Sequence, residues 1–139
     1  MRRNKLDVCL HFVWATWDRL PLITDNIQRD LYRYIETVCH DDKCEALAIG
    51  GVENHVHLLV LFSNTVTLAA FMNHVKGGSS RFITETLKPG MWFAWQSNYG
   101  TTSVCQRDRQ KIVRYIENQK PHHANGTFWP DAEETDEQL

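Results

Sequence analysis

The sequence predicts an α+β fold: a ferredoxin-like antiparallel sheet with helices packed on one face, plus a C-terminal helix. Three observations carry this expectation. Apolar residues alternate with period two over residues 6–17 and again over 55–62. They recur at helical spacing over 26–39 and 66–87. The segments follow one another as strand, helix, strand, strand, helix, extended stretch, helix, the order of a helix-covered antiparallel sheet. At 139 residues the chain is long enough to bury one core, expected as a single domain over 1–130.

Taken in order, Val8, Leu10, Phe12 and Trp14 alternate with Asp7, Cys9, His11 and Val13, a first strand ended by Asp18-Arg19-Leu20-Pro21. Thr24-Asp25-Asn26 offers caps to a helix with Ile27, Leu31, Tyr34, Ile35 and Val38 on its inner side. A second strand is expected over 44–52, with Gly50-Gly51 as a tight turn or bulge before a third strand over 55–62. Ser63-Asn64-Thr65 precedes a second helix over 66–87, whose inward stripe is Leu68, Phe71, Met72, Val75 and Phe82, and Lys88-Pro89-Gly90 stops it. Residues 91–105 are aromatic and expected to be extended. A third helix over 107–119 ends before Pro121.

The net charge of −2 conceals an uneven distribution. Asp131, Glu133, Glu134, Asp136 and Glu137 crowd an acidic tail over 131–139, and the rest of the chain carries 12 acids against 15 bases. A mildly basic body is compatible with a phosphate backbone without requiring one. No apolar run approaches the roughly 20 residues of a membrane span and no signal-peptide pattern is visible, so a cytoplasmic protein without a membrane partner is expected. Cys9, Cys39, Cys44 and Cys105 form no CxxC pair and read as small core residues, although the Cys39–Cys44 spacing also admits a metal or disulfide clip.

His55 and His57 stand two apart on a strand, so both imidazoles lie on one face and can grip a metal. An isolated pair of this kind more often reads as one structural and one exposed histidine. Tyr115 and Gln119 stand four apart on the third helix and therefore share a face. Gln119 offers an amide oxygen to a cation, and Tyr115 a phenol able to act as a nucleophile. By spacing alone, Tyr115 also reads as a core-edge tyrosine and Gln119 as a solvated last-turn residue.

Four stretches carry a family resemblance: 11–16 (HFVWAT), 54–60 (NHVHLLV), 76–81 (KGGSSR), and Tyr99-Gly100 with 115–119 (YIENQ). Together and in order they resemble the single-tyrosine transposases of the IS200/IS605 type within the HUH superfamily. The resemblance implies that His55, His57 and Gln119 ligate a divalent metal, Mg²⁺ or Mn²⁺. It implies that Tyr115 attacks single-stranded DNA at hairpin-bearing element ends through a 5′-phosphotyrosine. It further implies a homodimer whose active sites are shared between subunits, the histidines from one and the tyrosine helix from the other. Some relatives are domesticated proteins that process repeated palindromes, the REP-associated tyrosine transposases. Lys76, Arg81, Arg107 and Arg114, with Arg109 and Lys111, are candidate DNA contacts, and Trp92, Trp95 and Tyr99 are candidate stacking residues. Each also reads as a surface charge or a core aromatic. His122 and His123 follow the tyrosine helix without an assigned role.

Other classes fit less well. A histidine-triad hydrolase needs a further histidine where Leu59 stands, and Leu59-Val60-Leu61 also breaks a metallo-β-lactamase motif. The principal rival is a catalytically inactive single-stranded nucleic-acid-binding module, for which Tyr115 and the histidines would be dispensable.

Overall fold

The computed structural model describes residues 4–119. Strands β1 (Cys9–Ala15), β2 (Glu45–Val52), β3 (His55–Leu61) and β4 (Gly100–Ser103) form one antiparallel sheet in the order β2-β3-β1-β4. Helix α1 (Asp25–Asp41) follows β1, and α2 (Leu68–Arg81) follows β3 and continues as a π-helical stretch over Phe82–Leu87. Helix α3 (Arg109–Glu117) closes the described chain. This is the ferredoxin-like arrangement expected from the element order.

Period two in β1 and β3 divides the sheet into two faces. Phe12, Trp14, Val56, Leu58 and Val60 turn to one side and join Ile27, Leu31, Ile35, Phe71, Met72 and Val75 of α1 and α2 in the larger core. Cys9 and Leu59 turn to the other side and pack with Ala48 of β2 and with Ile112, Tyr115 and Ile116 of α3. The C-terminal helix therefore occupies the face that α1 and α2 leave open.

Several boundaries depart from expectation for local reasons. β1 begins three residues late, at Cys9, and Trp17–Arg19 forms a 3₁₀ turn in which Asp18 takes a left-handed conformation. Gly50 and Gly51 lie inside β2, paired with His57 and Val56, and are not the turn. The turn is Glu53-Asn54, and the register shift falls between Ala46 and Ala48. The Thr67 hydroxyl, accepting from the Ala70 amide at 3.1 Å, starts α2 one residue after itself, which leaves Leu68 exposed instead of in the core stripe. Tyr34 and Phe82 are half-buried and stack on each other at 4.8 Å between ring centres. Of residues 91–105, only 100–103 form a ladder strand, while Trp95 makes a single bridge to Thr16. All four cysteines are free thiols, and Cys105 is exposed rather than in the core, so no clip joins Cys39 to Cys44.

Candidate active site

The odd-numbered positions of β3 place His55 and His57 on the α3 face, both buried. Their orientations are set by different neighbours. His55 closes the Glu53-Asn54 turn, and its Nδ1 donates to Asn54 Oδ1 at 2.8 Å, which leaves the Nε2 lone pair as the basic position of the ring. His57 lies mid-strand, and its Nδ1 is 2.8 Å from Nε2 of His11 on β1. The His55 and His57 rings meet edge-on with centroids 5.1 Å apart, and the Nε2 atoms of both are shielded from solvent.

Helix α3 is laid across these rings. Ile112, Tyr115 and Ile116 are its buried positions, and the Tyr115 ring meets that of His57 at 5.8 Å between centroids, nearly perpendicular. Gln119, one turn on, is 1 % exposed, and its amide nitrogen donates to the Tyr115 carbonyl at 3.2 Å. Gln119 also lines a cavity of about 320 Å³ together with Gly50, Gly51, Tyr32 and Ile116. Gln119 is thus not the solvated last-turn residue that spacing also allowed, and Tyr115 packs at the edge of the smaller core against His57.

Gly50 explains why α3 lies so close. A Cβ at this position would stand 2.2 Å from the carbonyl oxygen of Ile116, so only glycine admits the helix backbone onto β2 at the level of His57. At its other end α3 is tied by Arg109, which pairs with Asp7 ahead of β1. That carboxylate holds the Arg109 guanidinium above its usual range, and burial raises the adjacent Cys9 thiol. His55, His57 and Tyr115 thus meet ring against ring within one chain, and Gln119 is held one helical turn beyond Tyr115. The tyrosine helix covers the histidines of its own chain.

The donor chemistry suits a divalent cation. No group of three or more His, Cys, Asp or Glu side chains able to hold a metal ion occurs among the described residues. Two imidazole nitrogens, with an amide oxygen from Gln119 as a third protein donor, would make a set compatible with Mg²⁺ or Mn²⁺.

The candidate DNA contacts do not form one patch. Lys76 and Arg81 belong to α2 and Arg107 and Arg114 to the α3 region, on opposite faces of the sheet. Arg81, Arg107 and Arg114 are exposed, whereas Lys76 donates to the backbone carbonyls of Gln96 and Asn98 and so holds the 92–99 segment to α2. Trp95 is buried, with its indole N–H on Ser79 Oγ at 2.9 Å, and Tyr99 is half-buried near Phe12; Trp92 alone of the three aromatic candidates is exposed. His122 and His123 lie outside the described residues. Sequence reading also missed Asn54 and His11 as partners of the two histidines. The period-two pattern puts His11 on the correct face, but only the β1–β3 register brings it to His57.

The chain belongs to a class of transposases: residues 4–119 match the family described as "Transposase IS200 like". The chain is similar to the ISDra2 transposase TnpA of Deinococcus radiodurans, 25 % identical over 114 residues that span 78 % of this chain and 81 % of that protein. A crystal structure described as that of a transposase from Deinococcus radiodurans R1 superposes with a TM-score of 0.66 at 25 % identity, covering 86 % of this chain and 96 % of the other. A REP-associated tyrosine transposase bound to a REP hairpin shares the fold, with a TM-score of 0.66 at 17 % identity over 94 % of this chain and 79 % of that one. No helix among the described residues is long and apolar enough to cross a membrane.

Proposed function

We propose that this IS200-like transposase cleaves and rejoins single-stranded DNA at hairpin-bearing ends through a 5′-phosphotyrosine at Tyr115, with His55, His57 and Gln119 holding a divalent metal. The observation that supports this most is the meeting of Tyr115 with His57 under a helix that also buries Gln119. Residues far apart in sequence converge on one spot, an arrangement that a passive binding module does not need.

When bound, Mg²⁺ or Mn²⁺ supplies Lewis-acid neutralisation of a phosphodiester that otherwise repels nucleophiles. The chain's own residues do the rest. His55 presents Nε2 because Asn54 takes its Nδ1 proton. Packing against His57 and the smaller core fixes the Tyr115 ring. The Tyr115 hydroxyl oxygen attacks phosphorus, the bond from phosphorus to the 3′ oxygen breaks, and the proton given up by the phenol is balanced by protonation of the departing 3′-hydroxyl. The phosphotyrosine conserves the bond, so a second 3′-hydroxyl can reverse the step without ATP. Exposed Arg114 beside Tyr115 and Arg107 before α3 would meet backbone phosphates near the cut, with exposed Arg81 on the α2 side.

The hairpin named for the REP-associated neighbour makes processing of palindromic repeats the second reading, differing in substrate and not in chemistry. We assign the protein to homodimers that share their sites by exchanging α3, as the resemblance implies. Mixing Tyr115→Phe with His57→Ala protein, each inactive alone, then restores activity; continued inactivity would confine each site to one chain. The reaction itself is tested by incubating the protein with a hairpin-ended single strand and Mg²⁺ or Mn²⁺. A denaturant-resistant protein–DNA adduct is expected, lost on chelation and in His57→Ala while hairpin binding persists. Loss of binding in His57→Ala would make that histidine structural.

A further inference from the structure

We infer that His11 is the positioning residue for the metal-ligating ring of His57: His11 accepts the His57 Nδ1 proton and thereby commits Nε2 of His57 to the metal. This inference rests on the reading of His55, His57 and Gln119 as a metal site. His11 pairs with Leu59 across β1 and β3, so His57 is its diagonal neighbour on the same face. The two rings are stacked, with centroids 5.1 Å apart and planes inclined by 30°, and the Nε2–Nδ1 separation is 2.8 Å. Both are buried, His11 at 4 % and His57 at 0 % exposure, so water does not substitute easily for either partner.

A hydrogen bond between two imidazole nitrogens carries one proton, and its placement decides the chemistry. If His11 donates, the neutral His57 ring carries its own proton on Nε2 and cannot ligate there. If His57 donates from Nδ1, the Nε2 lone pair is available and the ring is held in one orientation. Ligating histidines commonly donate their other ring N–H to such an outer partner, and loss of that partner typically weakens metal binding by about 10- to 100-fold. For His55 the corresponding group is the Asn54 side-chain oxygen, an acceptor by nature. His57 has a histidine in that place, whose acceptor role requires the Nδ1–H tautomer of His11. The pair therefore differs from the His55–Asn54 pair in having a tautomer to choose.

The test combines long-range ¹H–¹⁵N correlation of the histidine rings in the metal-free protein with calorimetric titration of Mn²⁺ into wild type, His11→Leu and His11→Gln. The expected tautomer of His57 is protonated at Nδ1 and bare at Nε2. Mn²⁺ affinity should fall by about 10- to 100-fold in His11→Leu, which keeps bulk but offers no acceptor, and recover substantially in His11→Gln, whose amide oxygen restores one. Thermal melting of each variant reports the fold separately, and if His11→Leu fails to fold, the wild-type tautomer and the His11→Gln affinity decide the matter. A proton on Nε2 of His57, or undiminished Mn²⁺ affinity in His11→Leu, would overturn the role of His11 alone. Absence of Mn²⁺ binding by the wild-type protein would instead overturn the metal site, and this inference with it.

Discussion

The two faces of the sheet are built from alternate residues of the same strands, yet they are different materials. On the α1/α2 side, Phe12, Trp14, Leu58 and Val60 meet Phe71, Met72, Ile27 and Leu31 in a continuous apolar core. On the α3 side, the intervening residues include His11, His55 and His57, covered by a nine-residue helix that contributes Tyr115 and leads to Gln119. Burying polar groups costs free energy unless each is hydrogen-bonded or bound to a ligand. The second face tolerates them because the first is large enough to hold the sheet, which separates the part of the molecule that stabilises from the part proposed to react.

The sharpest way to break this division is at Tyr115. Tyr115→Phe keeps the ring against His57, so unfolding by denaturant should be almost unchanged while adduct formation is lost completely. A variant that instead melts early would make Tyr115 a core residue. The converse change, Phe71→Ala, opens a cavity in the apolar face and should cost about 3–5 kcal/mol in denaturant unfolding, with little loss of Tyr115 chemistry under conditions where the protein remains folded. Gly50→Ala comes next. Its methyl group meets the Ile116 carbonyl, so α3 must shift, and a displacement of about 1 Å at a reacting group lowers cleavage on the order of 100-fold. Hydrogen exchange should quicken in α3 and stay slow in α1, and equal loosening of both helices would deny that the faces are separable.

The smallest effect is a pH dependence strongest on the α1 side. Burial pushes the Cys39 thiol from its ordinary 9.0 up to about 12, and Tyr32 rises from 10.0 to about 12, offset slightly by the Gln28 hydrogen bond. The unfolded chain then releases these protons first as pH rises. Stability should be unaffected by them below about pH 9 and should fall through the window between the unfolded and folded values. Denaturant midpoints across that window should decline less steeply for Cys39→Ala.

Much of this was legible in the chain because periodicity reports burial directly. The alternation of β3 and the Ile27, Leu31, Ile35, Val38 stripe gave β3 to within a residue and α1 to within two, while β1 was drawn too long at both ends. His55 and His57 were visible as a same-face pair, and Tyr115 with Gln119 as another. What spacing could not supply was which face α3 would cover, since that depends on Gly50 meeting Ile116 across 66 positions of sequence. Gly50-Gly51 looked like a turn because glycine serves both turns and close backbone approach. Trp95 looked like a stacking residue because its partner, Ser79, sits on another element. The α2 stripe was overextended at Leu68 because the Thr67 cap, not the apolar pattern, sets where the helix begins.

The central claim is that the helix-covered histidine face performs phosphotyrosine chemistry, and mapping the covalent product tests it most directly. The protein is reacted with a hairpin-ended single strand, the adduct is digested with nuclease and protease, and the modified peptide is sequenced by mass spectrometry. A 5′-nucleotide on Tyr115 and no adduct from Tyr115→Phe protein are expected. A nucleotide carried by any other residue, or an adduct that survives in Tyr115→Phe, would contradict it.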